Sequence, residues 1–289
     1  MTKRQNNWFW VFAAPYVLGL LFFTLIPLLV SIYLSFCKYD MYNPPQWIGL
    51  KNYIAMLSAP RTWQAFRNIA IFTVLNEGIK IPLACILAAL LNSKLKSRPF
   101  FRVVFFLPYL TPTVAIVAIW SIMYNPAYGL FNYLFGLIGL GPFEYVFSTK
   151  YLEFIASVTA MVIWQGIGYT IVFLGAGLQN ISGDLYEAAT IDGATAVKKF
   201  TKITLPLLSP TIFFLVIAGV SSSFQVFDPF YLFDSFGSFA PVPNQLMYEY
   251  VWKGVNRVGQ GAALGWISFM IVGIITFCMR RAERWVHYE

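Results

Sequence analysis

The chain has 289 residues, of which 58% are hydrophobic, 19% aromatic and only 11% charged, with a formal net charge of +8. Soluble domains carry about 25% charged residues, so this chain lacks the polar surface to clothe a globule in water. Composition excludes an ordinary soluble domain and selects an all-α integral membrane protein.

Residues 8–36 contain no charge. As a helix this run would reach about 43 Å, beyond the ~30 Å hydrocarbon core, and it spans the core with tilt. Lys3 and Arg4 precede it as they would in a signal peptide. The run is too long for one and ends on no small-residue cleavage site, so it reads as an uncleaved first helix. Further spans are predicted at 68–91, 101–124, 154–179, 211–227 and 262–279. Pro15, Pro27, Pro82 and Pro108 fall in or near spans, where membrane helices tolerate them. No tandem repeat or low-complexity linker divides the chain. The expectation is a single transmembrane domain over residues 1–289 with about six helices.

Basic residues set the orientation. With the N-terminus in the cytoplasm, the inner segments hold Lys3 and Arg4, then Lys94, Lys96, Arg98 and Arg102, then Lys198, Lys199 and Lys202, and finally Arg280, Arg281 and Arg284. The longer outer segments hold only Lys38, Lys51, Arg61, Arg67, Lys150, Lys253 and Arg257. Both termini are therefore expected in the cytoplasm. This dispersal over loops accounts for the net charge without nucleic acid as a partner. The aromatic residues are mostly lipid-facing bulk and interface belts, among them Trp8, Trp10 and Trp285.

Several chemistries drop out. Cys37, Cys85 and Cys278 are odd in number and widely spaced, so neither a disulfide framework nor a metal site is implied. His287 is the single histidine, which removes histidine acid–base chemistry and zinc ligation in their ordinary forms. There is no Gly-x-x-x-x-Gly-Lys-Ser/Thr loop to hold a nucleotide. If ATP drives this protein, another chain binds the ATP.

Within the spans a few polar residues stand out. Glu77 and Lys80 are three apart on the second helix and can pair on one face. An intramembrane charge costs several kcal/mol unless it is paired or faces water, so the pair either borders a permeation path or locks helices together. On the fourth helix Trp164, Gln165 and Tyr169 offer aromatic faces and polar edges, with Gly166 leaving room for close approach. On the fifth, Ser223, Gln225 and Asp228 are polar where apolar residues would be the default. Such groups suit a sugar, whose C–H faces pack on rings and whose hydroxyls need donors and acceptors. They equally serve as hydrogen-bonding glue between helices, at about 1 kcal/mol each.

The segment LYEAATIDGATAVKKFTKITLPLLSP (185–210) separates the fourth and fifth spans. Asp184 can cap a short helix, with Glu187 three residues on to complete a capping box. Ala188 and Ala189 are strong helix formers of little bulk, and Gly193 permits a left-handed turn that ends the helix. A second helix from about Ala194 would carry Val197 and Phe200 three apart on one face. Pro206 suits the first turn of the following span. The resulting surface, small on one side and basic on another, is either a docking face for another protein or a lipid-headgroup contact.

Glu187-Ala188-Ala189, three residues, Gly193, nine residues, then Ile203-x-Leu205-Pro206 resembles the full signature of ABC importer permeases. In that family the loop, here about 182–206, is the coupling helix and fits a cleft on a cytoplasmic ATPase subunit. The resemblance implies that Glu187, Ala188, Ala189, Asp192, Gly193 and Pro206 make or shape that contact. It extends over nearly the whole chain. APYVLGLLFFTLIPLLVSIYLSF (14–36), WIGLKNY (47–53), RPFFRVVFFLPYLTPTVAIVAIW (98–120), FQVFDPFYLF (224–233) and GQGAALGW (259–266) are similar to carbohydrate permeases of the maltose type. The chain departs from some of these in lacking a large outer insertion, and in FDSFGSFAPV (233–242), where a Gly-Gly-Pro element is common.

The resemblance implies an ABC type I importer permease fold in a prokaryotic plasma membrane, moving a sugar or oligosaccharide. It places substrate contacts near Gly166, Tyr169, Ser223 and Gln225. It implies a second permease subunit, a pair of ATPase subunits that bind ATP and magnesium, and an extracytoplasmic solute-binding protein. This chain would hold no cofactor and catalyse no reaction. Gly261 and Gly265 form a Gly-x-x-x-Gly pair that favours close helix packing, within the chain or against the second permease. The rival reading is an ion-coupled secondary transporter using Glu77, Lys80 and Asp228, although no twinned halves are visible. A membrane enzyme ranks last, for want of any paired-carboxylate or nucleophile motif.

Overall fold

A computed structural model describes residues 3–92, 97–147, 150–234, 239–253 and 257–281. Lys94, Lys96, Arg284, Trp285 and His287 lie outside the described residues. In chain order, α1 (Lys3–Leu20) passes through a π-helical turn (Leu21–Leu25) into α2 (Ile26–Ser35). A two-stranded antiparallel ribbon follows, β1 (Cys37–Lys38) and β2 (Gln46–Trp47), with Cys37 opposite Trp47. Next come α3 (Lys51–Ser58), α4 (Pro60–Asn92), α5 (Arg98–Leu110), α6 (Thr113–Met123) and α7 (Leu130–Gly136). Then α8 (Tyr151–Gln179), α9 (Gly183–Ile191), α10 (Ala196–Lys199), a second π-helical turn (Phe200–Thr204) and α11 (Leu205–Leu207). The chain continues with α12 (Ser209–Phe224), α13 (Asp228–Phe233), α14 (Pro243–Trp252) and α15 (Val258–Arg281).

Both π-turns have the same cause. Ile26 N–H donates to the Leu21 carbonyl and Leu205 N–H to the Phe200 carbonyl, each one residue before a proline, Pro27 and Pro206. A proline has no N–H and its ring presses on the carbonyl four residues back. Widening the turn by one residue accommodates it without ending the helix.

Phe12–Ser35, Pro60–Asn92, Tyr151–Gln179, Ser209–Phe233 and Val258–Arg281 are each long and apolar enough to cross a membrane. The count is six if α5 and α6 form one span. The expected third span is not a straight helix, because α5 and α6 meet at 99°. Thr111 at the corner is extended (φ −83°, ψ 134°). Pro112 disfavours helical backbone at the residue before it and donates no hydrogen bond. The expected fifth span, 211–227, ends three residues early: α12 stops at Phe224, with Gln225 as its C-cap, and α13 begins beyond it at Asp228.

The chain divides into two compact units. The first comprises Met1–Trp63 and Leu246–Met270. There Asn52, buried on α3, donates from Nδ2 to the carbonyls of Ser35 (2.9 Å), the last residue of α2, and Cys37 (2.8 Å), just beyond it. Ser35 Oγ and Tyr53 Oη share a hydrogen bond of 2.7 Å, and Trp266 Nε1 donates to Ser31 Oγ at 3.3 Å. Asp40 closes a turn by accepting from the Asn43 and Tyr42 amides at 2.8 and 3.1 Å, which holds its carboxyl below the usual range. Gly261 lets α15 lie close on α14, since a Cβ there would stand 2.8 Å from Val251 Cγ2. The Gly-x-x-x-Gly pair is thus used within the chain.

The second unit comprises Gln64–Gln245 and Ile271–Glu289. Its core is built from helical stripes on three elements: Ile81, Ala84, Cys85, Ala88 and Leu91 of α4; Ile163, Ile167, Ile171, Leu174 and Leu178 of α8; and Leu215 of α12, with Leu208 just before it. Ala84 and Ala88 put small side chains on the α4 stripe, a composition that suits helix packing where lipid is as apolar as leucine. Tyr124 Oη donates to the Ser157 carbonyl at 2.7 Å, and Asn68 Nδ2 to the Pro241 carbonyl at 2.8 Å. At Gly168 of α8 the backbone of α5 comes so near that a Cβ would collide with the Phe105 carbonyl and lie 2.8 Å from Phe106 Cα.

Gly168→Ala should therefore push α5 off α8 and destabilise the protein by roughly 1–3 kcal/mol. Gly175→Ala, where an added Cβ meets nothing within 4 Å, should not. Thermal unfolding of the two variants in the same detergent checks this; equal stability would mean that α5 does not bear on α8 at Gly168.

Candidate functional site

Glu77 and Lys80 lie near the middle of α4, one turn apart, and form an ion pair of 2.8 Å with side chains only 7% and 13% exposed. A single carboxylate oxygen does most of the bonding. Glu77 Oε1 accepts from Lys80 Nζ (2.8 Å), Asn76 Nδ2 (2.9 Å) and Ser223 Oγ (3.0 Å). Asn76 Nδ2 is also 3.2 Å from Ser223 Oγ. The other oxygen, Oε2, is buried and without a hydrogen-bond partner among the described residues. It rests where a side chain at position 219 would have to go, so α12 can carry only glycine there without displacing the carboxylate.

Beside this network is a cavity of about 390 Å³, within the range of about 300–1,000 Å³ usual for small-molecule sites. Its walls come from α4, α5, α8 and α12, and among the described residues lining it Glu77 and Lys80 are the only charged ones. Tyr109 of α5 and Tyr169 of α8 stack across one wall, ring centroids 5.1 Å apart at 28°. The close approach at Gly168 is what brings α5, and with it Tyr109, over the face of α8 that carries Tyr169.

Of the residues singled out in the sequence, Glu77, Lys80, Gly166, Tyr169 and Ser223 meet in this cavity. The others do not. Gln165 borders a neighbouring cavity at the α5–α6 corner, where its Nε2 donates to Thr113 Oγ1 (3.1 Å) and more weakly to the Thr111 carbonyl (3.4 Å). Trp164 is 45% exposed, with its ring 5.5 Å from that of Trp120. Gln225 is an exposed C-cap whose carbonyl accepts from Asn244 Nδ2 at 2.7 Å. Asp228 is exposed in the first turn of α13. Asn76, Tyr109 and Gly219 were not anticipated. Asn76 carried a signal, being polar beside Glu77 in an apolar run; Gly219 carried none.

The loop between α8 and α12 is a second constellation. Ser182, not Asp184, caps α9 by accepting from the Asp184 amide at 3.3 Å. The expected capping box is not formed, because Ser182 takes the cap two residues earlier and leaves Asp184 in the first turn. Gly193 ends α9 at φ +72°. Its amide bonds the Thr190 carbonyl (3.1 Å) and the Ala194 amide the Ala189 carbonyl (2.8 Å), the two-bond stop that a left-handed residue permits. α10 begins at Ala196, not Ala194, capped by Thr195 Oγ1, which accepts from the Lys198 amide at 3.3 Å. Lys199 Nζ donates to Thr190 Oγ1 at 2.6 Å, tying α10 to α9.

Glu187, Ala188, Asp192 and Gly193 are exposed, while Ala189 and Pro206 are half-buried. Pro206 stands in the first turn of the short α11, and Pro210 takes the corresponding place in the longer α12. Val197 and Phe200 do not share a fate: Phe200 packs against the α4–α8–α12 core, whereas Val197 is 71% exposed and Ile191, which the sequence reading passed over, 86%.

Residues 80–286 match the family described as "Binding-protein-dependent transport system inner membrane component". The chain is 29% identical over 282 residues to the trehalose/maltose transport system permease protein MalF of Thermococcus litoralis, covering 97% of this chain and 95% of that one. It is 31% identical over 289 residues to the lactose transport system permease protein LacF of Rhizobium radiobacter, covering 95% and 93%. In fold it matches, at a TM-score of 0.84 and 21% identity over 97% of this chain and 96% of the other, a chain of a bacterial ABC transporter involved in the import of the acidic polysaccharide alginate. The expected all-α permease fold and the signature around Glu187 and Gly193 agree with these likenesses. The chain belongs to the binding-protein-dependent transport system inner membrane components, and is a membrane-spanning transport subunit of an ABC importer, not an enzyme.

Proposed function

We propose that this permease subunit carries a sugar or oligosaccharide through the cavity between α4, α5, α8 and α12, driven by a pair of ATPase subunits that grip the α9–α10 loop from the cytoplasm. A second permease subunit completes the path, and an extracytoplasmic binding protein delivers the substrate. ATP and magnesium belong to the ATPase subunits. The basic loop 198–202 and Arg280 and Arg281 at the end of α15 lie on the cytoplasmic side, with both termini.

What carries this reading is a direct mechanical connection. The loop is stiffened by its caps and by the Lys199–Thr190 bond, and both of its ends lead to walls of the cavity. Upstream is α8, with Gly166 and Tyr169. Downstream, the backbone runs through the π-turn and α11 into α12 with little break, Leu208 N–H bonding the Thr204 carbonyl (2.9 Å) and Ile212 N–H the Leu208 carbonyl (2.9 Å). A push on α9 and α10 therefore moves α8 and α12 against each other, opening or closing the space between them. Exposed Ile191, Val197 and Leu185 give the loop apolar area to bury against a protein partner. The tyrosine faces and hydroxyls of the cavity suit a carbohydrate, in keeping with the substrates named for the MalF and LacF relatives. An ion-coupled carrier would need its charged groups in the path. Asp228 does not line the cavity, and Glu77 is committed to Lys80.

Gly193→Val forces a branched side chain into a left-handed conformation, and should lower uptake by the assembled importer roughly ten-fold or more while the subunit still reaches the membrane. Loss of ATPase co-purification, or ATP hydrolysis no longer tied to transport, is the accompanying sign; full-rate uptake would remove the loop from the mechanism. At the cavity, Tyr169→Ala should reduce the maximal uptake rate about ten-fold, with the ATPase still bound. Gln225→Ala, outside the cavity, should leave uptake unchanged. Equal rates for the two variants would place the path elsewhere.

A further inference from the structure

Among the described residues the cavity has one cation on its walls, and that cation is already matched from within. Lys80 Nζ is held 2.8 Å from Glu77 Oε1, and among the described residues of this chain no other charged residue lines the space. Glu77 itself is withdrawn from any ligand. Its Oε1 is shared by three donors, and its Oε2 is buried against the backbone at Gly219. What borders the cavity is thus an ion pair without net charge, together with the neutral polar side chains of Asn76, Tyr109, Tyr169, Thr170, Ser222 and Ser223.

We propose that this site selects uncharged, hydroxyl-rich ligands and turns away carboxylated or phosphorylated sugars, with the Glu77–Lys80 pair as the element that sets the choice. This rests on the carbohydrate reading above. An anionic ligand entering the cavity would lose its hydration and find no net positive charge in return, and removing a charge from water without compensation is costly. A neutral sugar meets no such penalty, since its hydroxyls exchange water for the ammonium N–H groups and the wall hydroxyls, and its C–H faces for the tyrosine rings. The pair is built from residues three apart on one helix, so the cancellation is local to α4. Gly219 is a positioning residue in this scheme: it leaves the space that lets the carboxylate sit beside Lys80.

The test is saturation-transfer NMR on the assembled importer in lipid nanodiscs, with probe pairs that differ in charge. Methyl glucoside is set against methyl glucuronide, methyl galactoside against methyl galacturonide, and maltotriose against trigalacturonate. Gly166→Leu, which fills the cavity, marks the signal that comes from this site. In the wild type at least one neutral probe should bind about ten-fold or more tightly than its carboxylate partner. Glu77→Gln leaves Lys80 unmatched and should bring that carboxylate to parity or better. Should Glu77→Gln fail to assemble, Glu77→Gln with Lys80→Gln, which adds no net charge, should keep binding the neutral probes and keep refusing the carboxylates, showing that neutrality, not the ammonium alone, makes the choice. Equal binding of both classes by the wild type, or a ratio unmoved by Glu77→Gln, would overturn charge selection while leaving the carbohydrate site intact. Carboxylate binding by the double variant would do the same. Absence of any Gly166-dependent signal from either class would overturn the carbohydrate site itself.

Discussion

A carboxylate buried halfway along a membrane helix has to be neutralised by something that is always present, and in this protein the neutralising group is one turn away on the same helix. An unmatched charge at the centre of a bilayer costs about 2.5–3.5 kcal/mol even on the more lenient scales. The i,i+3 spacing of Glu77 and Lys80 removes most of that cost without waiting for a partner chain. The remaining donors to Oε1 come from Asn76 and from Ser223 of α12, so the charge pair also decides where α12 lies against α4. Gly219 follows from this, since the carboxylate takes the volume that any side chain would need. The polar node comes first, and the cavity is the space left beside it.

The other walls are set by similarly tight contacts. Gly168 admits the backbone of α5 to α8, and that contact lays Tyr109 on Tyr169. The sharp turn at Thr111–Pro112 then takes the chain away into α6. Gln165 meets the corner with its amide, supplying donors where the helix has stopped supplying them. A residue that reads as a ligand group in the sequence thus has a local task, satisfying backbone and hydroxyl groups at a break inside the apolar region, where unpaired polar groups cost several kcal/mol.

Much of this was legible in the sequence, and the misses have physical reasons. Hydropathy sums composition over a window, so residues 101–124 read as one span although Pro112 breaks them; only the local sterics of the residue before proline could have told the two apart. The stop at Gly193 was legible because few residues accept a positive φ, whereas the cap at the other end of α9 was not, because Ser182 and Asp184 are equally good caps and the geometry of the entering chain chooses. Within the site, helical period would have sorted the candidates better than residue type did. Val162, Gly166, Tyr169 and Thr170 of α8 line the cavity, as do Leu215, Gly219, Ser222 and Ser223 of α12, both sets spaced by one, three or four as one helix face requires. Trp164 falls off the first stripe, whereas Gln165 keeps its spacing and is drawn aside by its bonds to the α5–α6 corner; Gln225 and Asp228 lie past the end of α12. Tyr109 was hidden for a different reason: its helix lies on α8 with a close approach at Gly168, a tertiary contact with no signature along the chain.

The sequence posed Glu77 and Lys80 as either a lock between helices or part of a path, and the function proposed above divides those two tasks between the partners. The carboxylate is the lock. It is the more buried of the two and takes bonds from α4 and α12 alike, with its second oxygen sealed against Gly219. The ammonium, on a long flexible stem, is the member that can face a ligand while its charge stays matched. A lock and a path in one pair also link specificity to motion, because any displacement of α12 that follows from a push on the α9–α10 loop must act on the Ser223 hydrogen bond to Glu77. In the proposed mechanism, the groups that make the cavity electrically neutral are therefore the same groups that the moving helix holds.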